Sequence, residues 1–143
     1  MNLHSRAVLG LNIAILSVLT LQGWTGDFVN LFAVFPNGQV NHTLSALAQA
    51  INAAGRMETL HAITGVILFV LGIALLVSAF RFSTGRGTRI CVVLGTLAIT
   101  AAAIGGITFV FSSFQDNGNS AQMGGSFIGS YTSYFLVLYF NKL

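Results

Sequence analysis

The sequence predicts an all-α integral membrane protein, a bundle of four transmembrane helices that forms one domain over residues 1–143. Hydrophobic residues make up 55% of the chain and charged residues only 6%, whereas soluble domains carry about 25% charged residues. The six basic and three acidic residues divide the chain into long uncharged segments. This composition excludes a soluble enzyme, a disordered chain and a nucleic-acid-binding protein.

Uncharged segments predict where the four helices lie. About 20 apolar residues are enough for a helix to cross the hydrocarbon core, and the segments that meet this length predict helices near 7–24, 58–80, 88–113 and 122–141. The segment 28–55 is uncharged too, but it is rich in polar residues and contains Pro36. Unpaired polar groups are too costly at membrane depth for it to span. We therefore expect an outer loop over 23–56, broken at Pro36-Asn37-Gly38.

Two parts of this loop have an ordered pattern. Residues 28–35 are almost entirely apolar, and we expect them to lie at the membrane interface. Apolar residues then recur at helical spacing, at Leu44, Leu47, Ala48, Ile51 and Ala54. This spacing predicts an amphipathic helix near 43–55 that lies on the membrane surface.

Basic residues predict the orientation. Only Arg56 falls on one side of the predicted bundle, while the other basic residues, Arg6, Arg81, Arg86, Arg89 and Lys142, fall on the opposite side. The positive-inside rule makes this second side cytoplasmic. We therefore expect a multi-pass protein of the plasma membrane, with both termini in the cytoplasm and the loops 23–56 and 114–121 outside.

His61 is the main candidate for chemistry, because ionisable groups inside a membrane are costly and usually functional. It lies about one turn into the second predicted helix, on the same face as Met57 and Glu58. One interpretation is a structural histidine that hydrogen-bonds to a neighbouring helix. The other is an axial ligand of a haem, since haem iron takes His or Met ligands.

A second axial ligand must reach the iron from the opposite face of the porphyrin, and therefore from another helix. Met123 begins the fourth predicted helix at a depth comparable to that of His61, and His42 in the outer loop is the rival ligand. Arg56 could bind a haem propionate. A flat macrocycle could lie against glycine backbone at Gly105, Gly106, Gly124 and Gly125. The same residues also suit plain helix packing, with Met as a core filler and glycine pairs at close contacts.

Several short motifs resemble the haem A synthase family. Gly23-Trp24-Thr25-Gly26, then Pro36-Asn37-Gly38, then Glu58-Thr59-Leu60-His61 at the start of the second helix are similar to its elements. The third and fourth helices resemble that family at 104–108 and 121–127, with Met123 where the family has a second histidine. The resemblance covers nearly the whole chain as a single four-helix half. Its most specific element is Glu58-x-x-His61.

The resemblance implies that His61 is a haem ligand and that Glu58 takes part in catalysis. The chain departs from the family's pattern in three ways: Ala62 follows the histidine in place of arginine, the first loop has no cysteine pair, and a second half is absent. A homodimer would restore eight helices.

Three functions remain open. We favour a small b-type haem protein, with haem b on His61 and Met123, that transfers electrons or serves as an accessory subunit of a respiratory complex. The second is a haem A synthase-like oxidoreductase that acts on a haem side chain with Glu58 as its carboxylate. The third is a structural or assembly subunit without a cofactor. The expected partners are the lipid bilayer and either a second copy of the chain or a respiratory complex, and not a nucleic acid.

Overall fold

The protein is all-α in the part of the chain that the structure, a computed structural model, describes: residues 3–35, 40–82 and 85–140, with side chains from Arg6 onward. Its helices there are α1 (Leu3–Phe32), α2 (Leu44–Ala54), α3 (Arg56–Arg81), α4 (Arg86–Phe111) and α5 (Asn117–Phe140). The predicted break at Pro36-Asn37-Gly38 lies outside the described residues, as do Asn141 and Lys142. Three of these helices, α1, α3 and α4, are long and apolar enough to cross a membrane.

The four long helices form a closed ring. α1 packs on α3, α3 on α4, α4 on α5, and α5 on α1. Neighbours run antiparallel: Asn12, early in α1, donates from Nδ2 to the carbonyl oxygen of Tyr134, late in α5 (3.0 Å). Further along α1, Gly23 contacts Phe127, which lies earlier in α5. This is the arrangement of an up-and-down four-helix bundle.

Aromatic side chains of α5 pack on glycines of α4. The ring of Tyr134 lies so close to Gly95 that an added Cβ would be 2.7 Å from it, and Phe140 approaches Gly87 in the same way, at 2.8 Å. Such contacts through small residues are typical of helices that associate in membranes. Around Tyr134, the buried core consists of aliphatic side chains from all four helices, among them Ile15, Leu19, Leu68, Leu75, Val92, Ile99 and Val137.

α2 confirms the predicted amphipathic helix almost to the residue. Thr43 caps its start, since its side chain accepts a hydrogen bond from the backbone N–H of Ala46 (3.2 Å). Its apolar face packs on the end of α4, where Ala50, Val110 and Phe114 form a second buried cluster. The location of α2 at a membrane surface stays a prediction.

α1 corrects the prediction that the first helix ends near residue 24. The helix continues to Phe32, so Gly23-Trp24-Thr25-Gly26 lies inside it, and the predicted loop 23–56 loses its first third. A glycine inside a helix costs only about 1 kcal/mol relative to alanine. The continuation is stabilised by burial, because Thr25 and Val29 are buried against the bundle.

α5 also begins earlier than predicted, at Asn117 instead of 122, so the connection from α4 covers 112–116 rather than 114–121. Asp116 stabilises this start: its Oδ1 accepts from the backbone N–H of Gly118 (2.8 Å), and its Oδ2 accepts from Asn119 Nδ2 (3.0 Å). A carboxylate before the first turn also complements the helix dipole. The sequence interpretation treated these residues as loop because they are polar.

Candidate functional site

His61 lies in the second turn of α3, and its ring faces α1. Its Nε2 is 3.1 Å from Gln22 Nε2, and its Nδ1 is 3.1 Å from Thr25 Oγ1. Gly26 allows this approach, because a Cβ there would lie 3.0 Å from His61 Cε1. One turn of α1 therefore holds the imidazole at both nitrogens.

The hydrogen-bond partners favour one tautomer. With the Gln22 amide placed so that its Nε2 faces the ring, His61 Nε2 accepts and the neutral imidazole carries its proton on Nδ1, whereas the opposite amide orientation would reverse both roles. In the favoured tautomer, Nδ1 donates to Thr25 Oγ1, whose hydroxyl donates to the carbonyl oxygen of Gln22 (3.1 Å). The hydroxyl of Thr64, nearly one turn after His61, donates to Gln22 Oε1. We call these four residues, Gln22, Thr25, His61 and Thr64, the polar cluster.

This tautomer is the one that binds a metal through Nε2. In metalloproteins, the ligating histidine usually donates its other ring N–H to a fixed acceptor, which orients the ring. Thr25 provides that acceptor here. The amide of Gln22 lies on the lone pair of Nε2, where an iron ion would bind. A metal could therefore reach Nε2 only if the Gln22 side chain rotated away.

Glu58 and Arg56 lie at the start of α3, close to His61 in sequence. Glu58 is buried, with 8% of its surface exposed, in the first turn of the helix. A carboxylate is favoured there because the helix dipole is positive at that end. Arg56 is the first residue of α3 and is exposed, as expected for a side chain at the membrane surface.

Met123 packs on α4. Its Cγ would be 3.2 Å from a Cβ at Gly105, and its Sδ would be 3.4 Å from one at Gly106. The structure thus brings Met123 together with these two glycines, in a contact between α4 and α5. His61 faces α1 instead, so ligation of one iron by both residues would require both side chains to reorient.

The remaining predicted site residues are spread over the end of the bundle where His61 lies. Gly124 and Gly125 are exposed, and a Cβ at either would meet nothing within 4 Å. They therefore do not share a cradle with Gly105 and Gly106, which Met123 covers. His42 is exposed and packs its ring on Phe111 at the end of α4, with centroids 4.6 Å apart. In the described part of the chain, no group of three or more His, Cys, Asp or Glu side chains is arranged to hold a metal ion.

Sequence reasoning missed the partners of His61. Gln22 and Thr25 are three residues apart and so share a face of α1, which is the signal that could have revealed them. It also missed a second polar contact in the middle of the bundle, where the hydroxyls of Tyr134 and Thr96 lie 3.1 Å apart. That contact joins α4 to α5, and no sequence motif marks it.

The resemblance to haem A synthases rests on the motifs given above, and the structure places the first of them, 23–26, beside His61 on α1. The resemblance stays a prediction. No family model, no curated protein and no solved structure matches the chain.

Proposed function

We propose that the chain is an integral protein of the plasma membrane, with four spanning helices, that binds one haem b on His61 near the outer end of the bundle. It would transfer electrons, as a homodimer or as an accessory subunit of a respiratory complex. The observation that carries this proposal is the contact of the His61 ring with α1, in which Nδ1 lies 3.1 Å from Thr25 Oγ1 and Nε2 lies 3.1 Å from Gln22 Nε2. This arrangement favours the tautomer with its proton on Nδ1 and a lone pair on Nε2, the form that binds a metal.

Membrane insertion is supported by the three apolar helices and by the way α5 packs. α5 is less apolar than α1, α3 and α4 because it contains serines and tyrosines. It nevertheless contacts α4 from Met123 to Phe140, so it lies at the same depth as that helix. Its outward side chains include Ile128 and Phe135, which are 65% and 60% exposed, as lipid contact requires.

His61 would hold the iron, and Arg56 is placed at the bundle end where a propionate could reach it. A bound haem would supply one-electron redox chemistry, with a potential set by its axial ligands. Thr25 would orient the imidazole through Nδ1. The second ligand would be Met123, after its sulfur leaves Gly106, or His42, or a residue of a partner chain.

A cofactor-free structural or assembly subunit is the second candidate, and a specific observation favours it. Each hydrogen-bonding group of the His61 ring and the Gln22 amide oxygen has a protein partner. A polar cluster that is satisfied in this way stabilises the contact of two helices without any ligand. The packing of Met123 on Gly105 and Gly106 likewise joins two helices, α4 and α5, without a ligand.

Absorption spectroscopy of the purified full-length chain separates the two candidates. For the haem protein, we expect a sharp α band in the dithionite-reduced minus oxidised spectrum, and the pyridine haemochrome of haem b at about one haem per chain. His61→Ala should abolish it. A folded protein that stays featureless after haemin is added would contradict the haem proposal and leave the structural subunit.

Gln22→Ala also separates the two candidates. The haem protein should bind haemin in this variant, whereas the structural subunit should bind none and should only lose stability. Removal of the amide frees Nε2, so the haem protein should bind haemin at least as tightly as the wild type. Thr25→Val is the matched variant on the other nitrogen, and loss of such an anchor typically lowers metal affinity about 10- to 100-fold. A Thr25→Val protein that binds haemin as tightly as the Gln22→Ala protein would contradict the orienting role of Thr25 on which the haem proposal rests.

Met123→Leu tests the second ligand. If Met123 ligates the iron, the variant should change from a six-coordinate, low-spin haem to a five-coordinate, high-spin haem, because leucine keeps the volume but offers no donor. Low-spin bands that persist in the variant would assign the ligand to His42 or to a partner chain. Resonance Raman and absorption spectra of the reduced protein provide the measurement.

A further inference from the structure

Positive charge gathers at the end of the bundle opposite His61. Arg81 ends α3, and Arg86 and Arg89 lie in the first turn of α4. The chain has only three acidic residues, and all of them belong to the opposite end: Asp27, Glu58 and Asp116. The three arginines therefore have no aspartate or glutamate of this chain near them.

An apolar groove between α3 and α4 opens next to these arginines. Its first part is lined by Leu76, Val77, Phe80, Arg81 and Val93. Its second part is lined by Phe80, Arg86, Arg89, Ile90, Val93 and Leu94. Phe80 and Val93 line both parts, so the two parts adjoin in one shallow groove. Val77, Phe80 and Leu94 are each more than half exposed in it.

Arg89 connects the groove to the charged end. Its guanidinium carbon lies 5.6 Å from the centroid of the Phe80 ring, which is cation–π distance. Its Nε is buried and, among the described residues, has no hydrogen-bond partner. In addition, Gly85 provides no side-chain cap for α4, so the free N–H groups of the first helical turn add partial positive charge beside the arginines.

We propose that this groove binds one anionic phospholipid. The phosphate lies among Arg81, Arg86 and Arg89, and one acyl chain follows the groove past Val77 and Leu94. Charge complementarity selects this occupant. A zwitterionic lipid has the same phosphate but also an ammonium group that the arginines repel. An apolar helix of another protein would bury the arginines without a counter-charge, which is costly. The inference rests on the membrane insertion proposed above and is independent of haem.

The test is native mass spectrometry of the full-length chain in detergent, with phosphatidylglycerol and phosphatidylcholine of identical acyl chains. We expect a preference for phosphatidylglycerol, and a loss of about fivefold in its affinity for each of Arg81→Gln, Arg86→Gln and Arg89→Gln, since a basic residue near an anionic surface contributes about 1 kcal/mol. Arg6→Gln is the control, because Arg6 is exposed in α1 outside the groove lining. An equal loss in Arg6→Gln would indicate diffuse attraction and overturn the proposal.

A second pair of variants tests the groove without changing charge. Val77→Trp fills the groove and should reduce phosphatidylglycerol binding, whereas Val70→Trp, seven residues earlier on α3 and also exposed, should not. Equal binding by both variants would contradict the groove. Alkaline extraction of membranes distinguishes the two levels of failure: a chain that washes out refutes membrane insertion, and a retained chain without lipid preference refutes only the lipid site.

Discussion

At Gly95, α4 receives the ring of Tyr134, and the absence of a side chain is what permits the contact. Tyr134 is fully buried and its hydroxyl lies 3.1 Å from Thr96 Oγ1. The ring therefore has little room to move away from a larger residue. Gly95 therefore has a packing role, although the apolar residues around it in the sequence give no sign of this.

We expect Gly95→Ala to destabilise the bundle by about 1–3 kcal/mol, because the new methyl group overlaps the Tyr134 ring. The control is Gly10→Ala in α1, where a Cβ meets nothing within 4 Å. Alanine there should be neutral or stabilise by up to about 1 kcal/mol through helix propensity. Thermal unfolding in one detergent measures both, and a Gly95→Ala protein as stable as the wild type would refute the contact.

His61 shows how far single residues could be interpreted from the sequence. Its isolation in an apolar helix marked it as either a ligand or a structural histidine, and that choice depends on what its nitrogens contact. Gln22 is 39 positions away in the chain, so no local pattern could supply the answer. Met123 has the same limit, since only the antiparallel packing of α4 and α5 places it on Gly105 and Gly106.

At the scale of secondary structure elements, the connection between α4 and α5 contains two strained residues. Ser113 and Phe114 have positive φ, 59° and 62°, which is rare for residues other than glycine. Phe114 is held there because its ring is buried and stacks on Phe35, with centroids 4.4 Å apart and planes 14° apart. Ser113 has no ring and takes no part in this aromatic stacking. A glycine at position 113 could therefore relieve the backbone strain without loss of that packing.

We expect Ser113→Gly to stabilise the protein by about 1 kcal/mol, since a left-handed conformation costs a residue with a Cβ roughly 1–2 kcal/mol and glycine almost nothing. Ser112→Gly is the matched control, and we expect it to destabilise the protein. Ser112 has an ordinary φ of −78°, and its hydroxyl donates to Phe109 O and accepts from the N–H of Asp116. Thermal unfolding of the two variants measures both effects. Destabilisation by Ser113→Gly would contradict the claim that Ser113 is strained.

The helix boundaries show where local sequence was sufficient and where it was not. α2 begins after a threonine cap and repeats apolar residues at helical spacing, and both signals are local. The end of α1 could not be predicted in this way, because glycines such as Gly23 and Gly26 often mark the C-terminal end of a helix. They stay helical since each accepts a neighbour's ring, Phe127 and His61 respectively.

For the whole molecule, the number of spanning helices decides the topology. Four spans would put both termini on one side of the membrane, and the positive-inside rule predicts that this side, which holds the arginines, is the cytoplasm. If α5 stayed outside the membrane, α1, α3 and α4 alone would put residue 143 on the opposite side from the N-terminus. The packing of α5 along α4 and α1 favours four.

We therefore expect a reporter that functions only in the cytoplasm to be active when fused after Leu143, and a periplasmic or extracellular reporter at that position to be inactive. Fusion of the same pair of reporters after Gly55, between α2 and α3, should give the reverse result. An extracytoplasmic Leu143 together with a cytoplasmic N-terminus would show three spans and refute the four-span proposal.

Composition and periodicity by themselves determined that the chain is helical and that α2 is amphipathic. They predicted four spans, and α1, α3 and α4 are the three that are apolar enough. These properties depend on runs of neighbouring residues and on the cost of polar groups in lipid. Tertiary structure alone decided what His61, Met123 and the glycines contact. Those contacts join residues distant in sequence, and their geometry is set by how closely α1, α3, α4 and α5 pack.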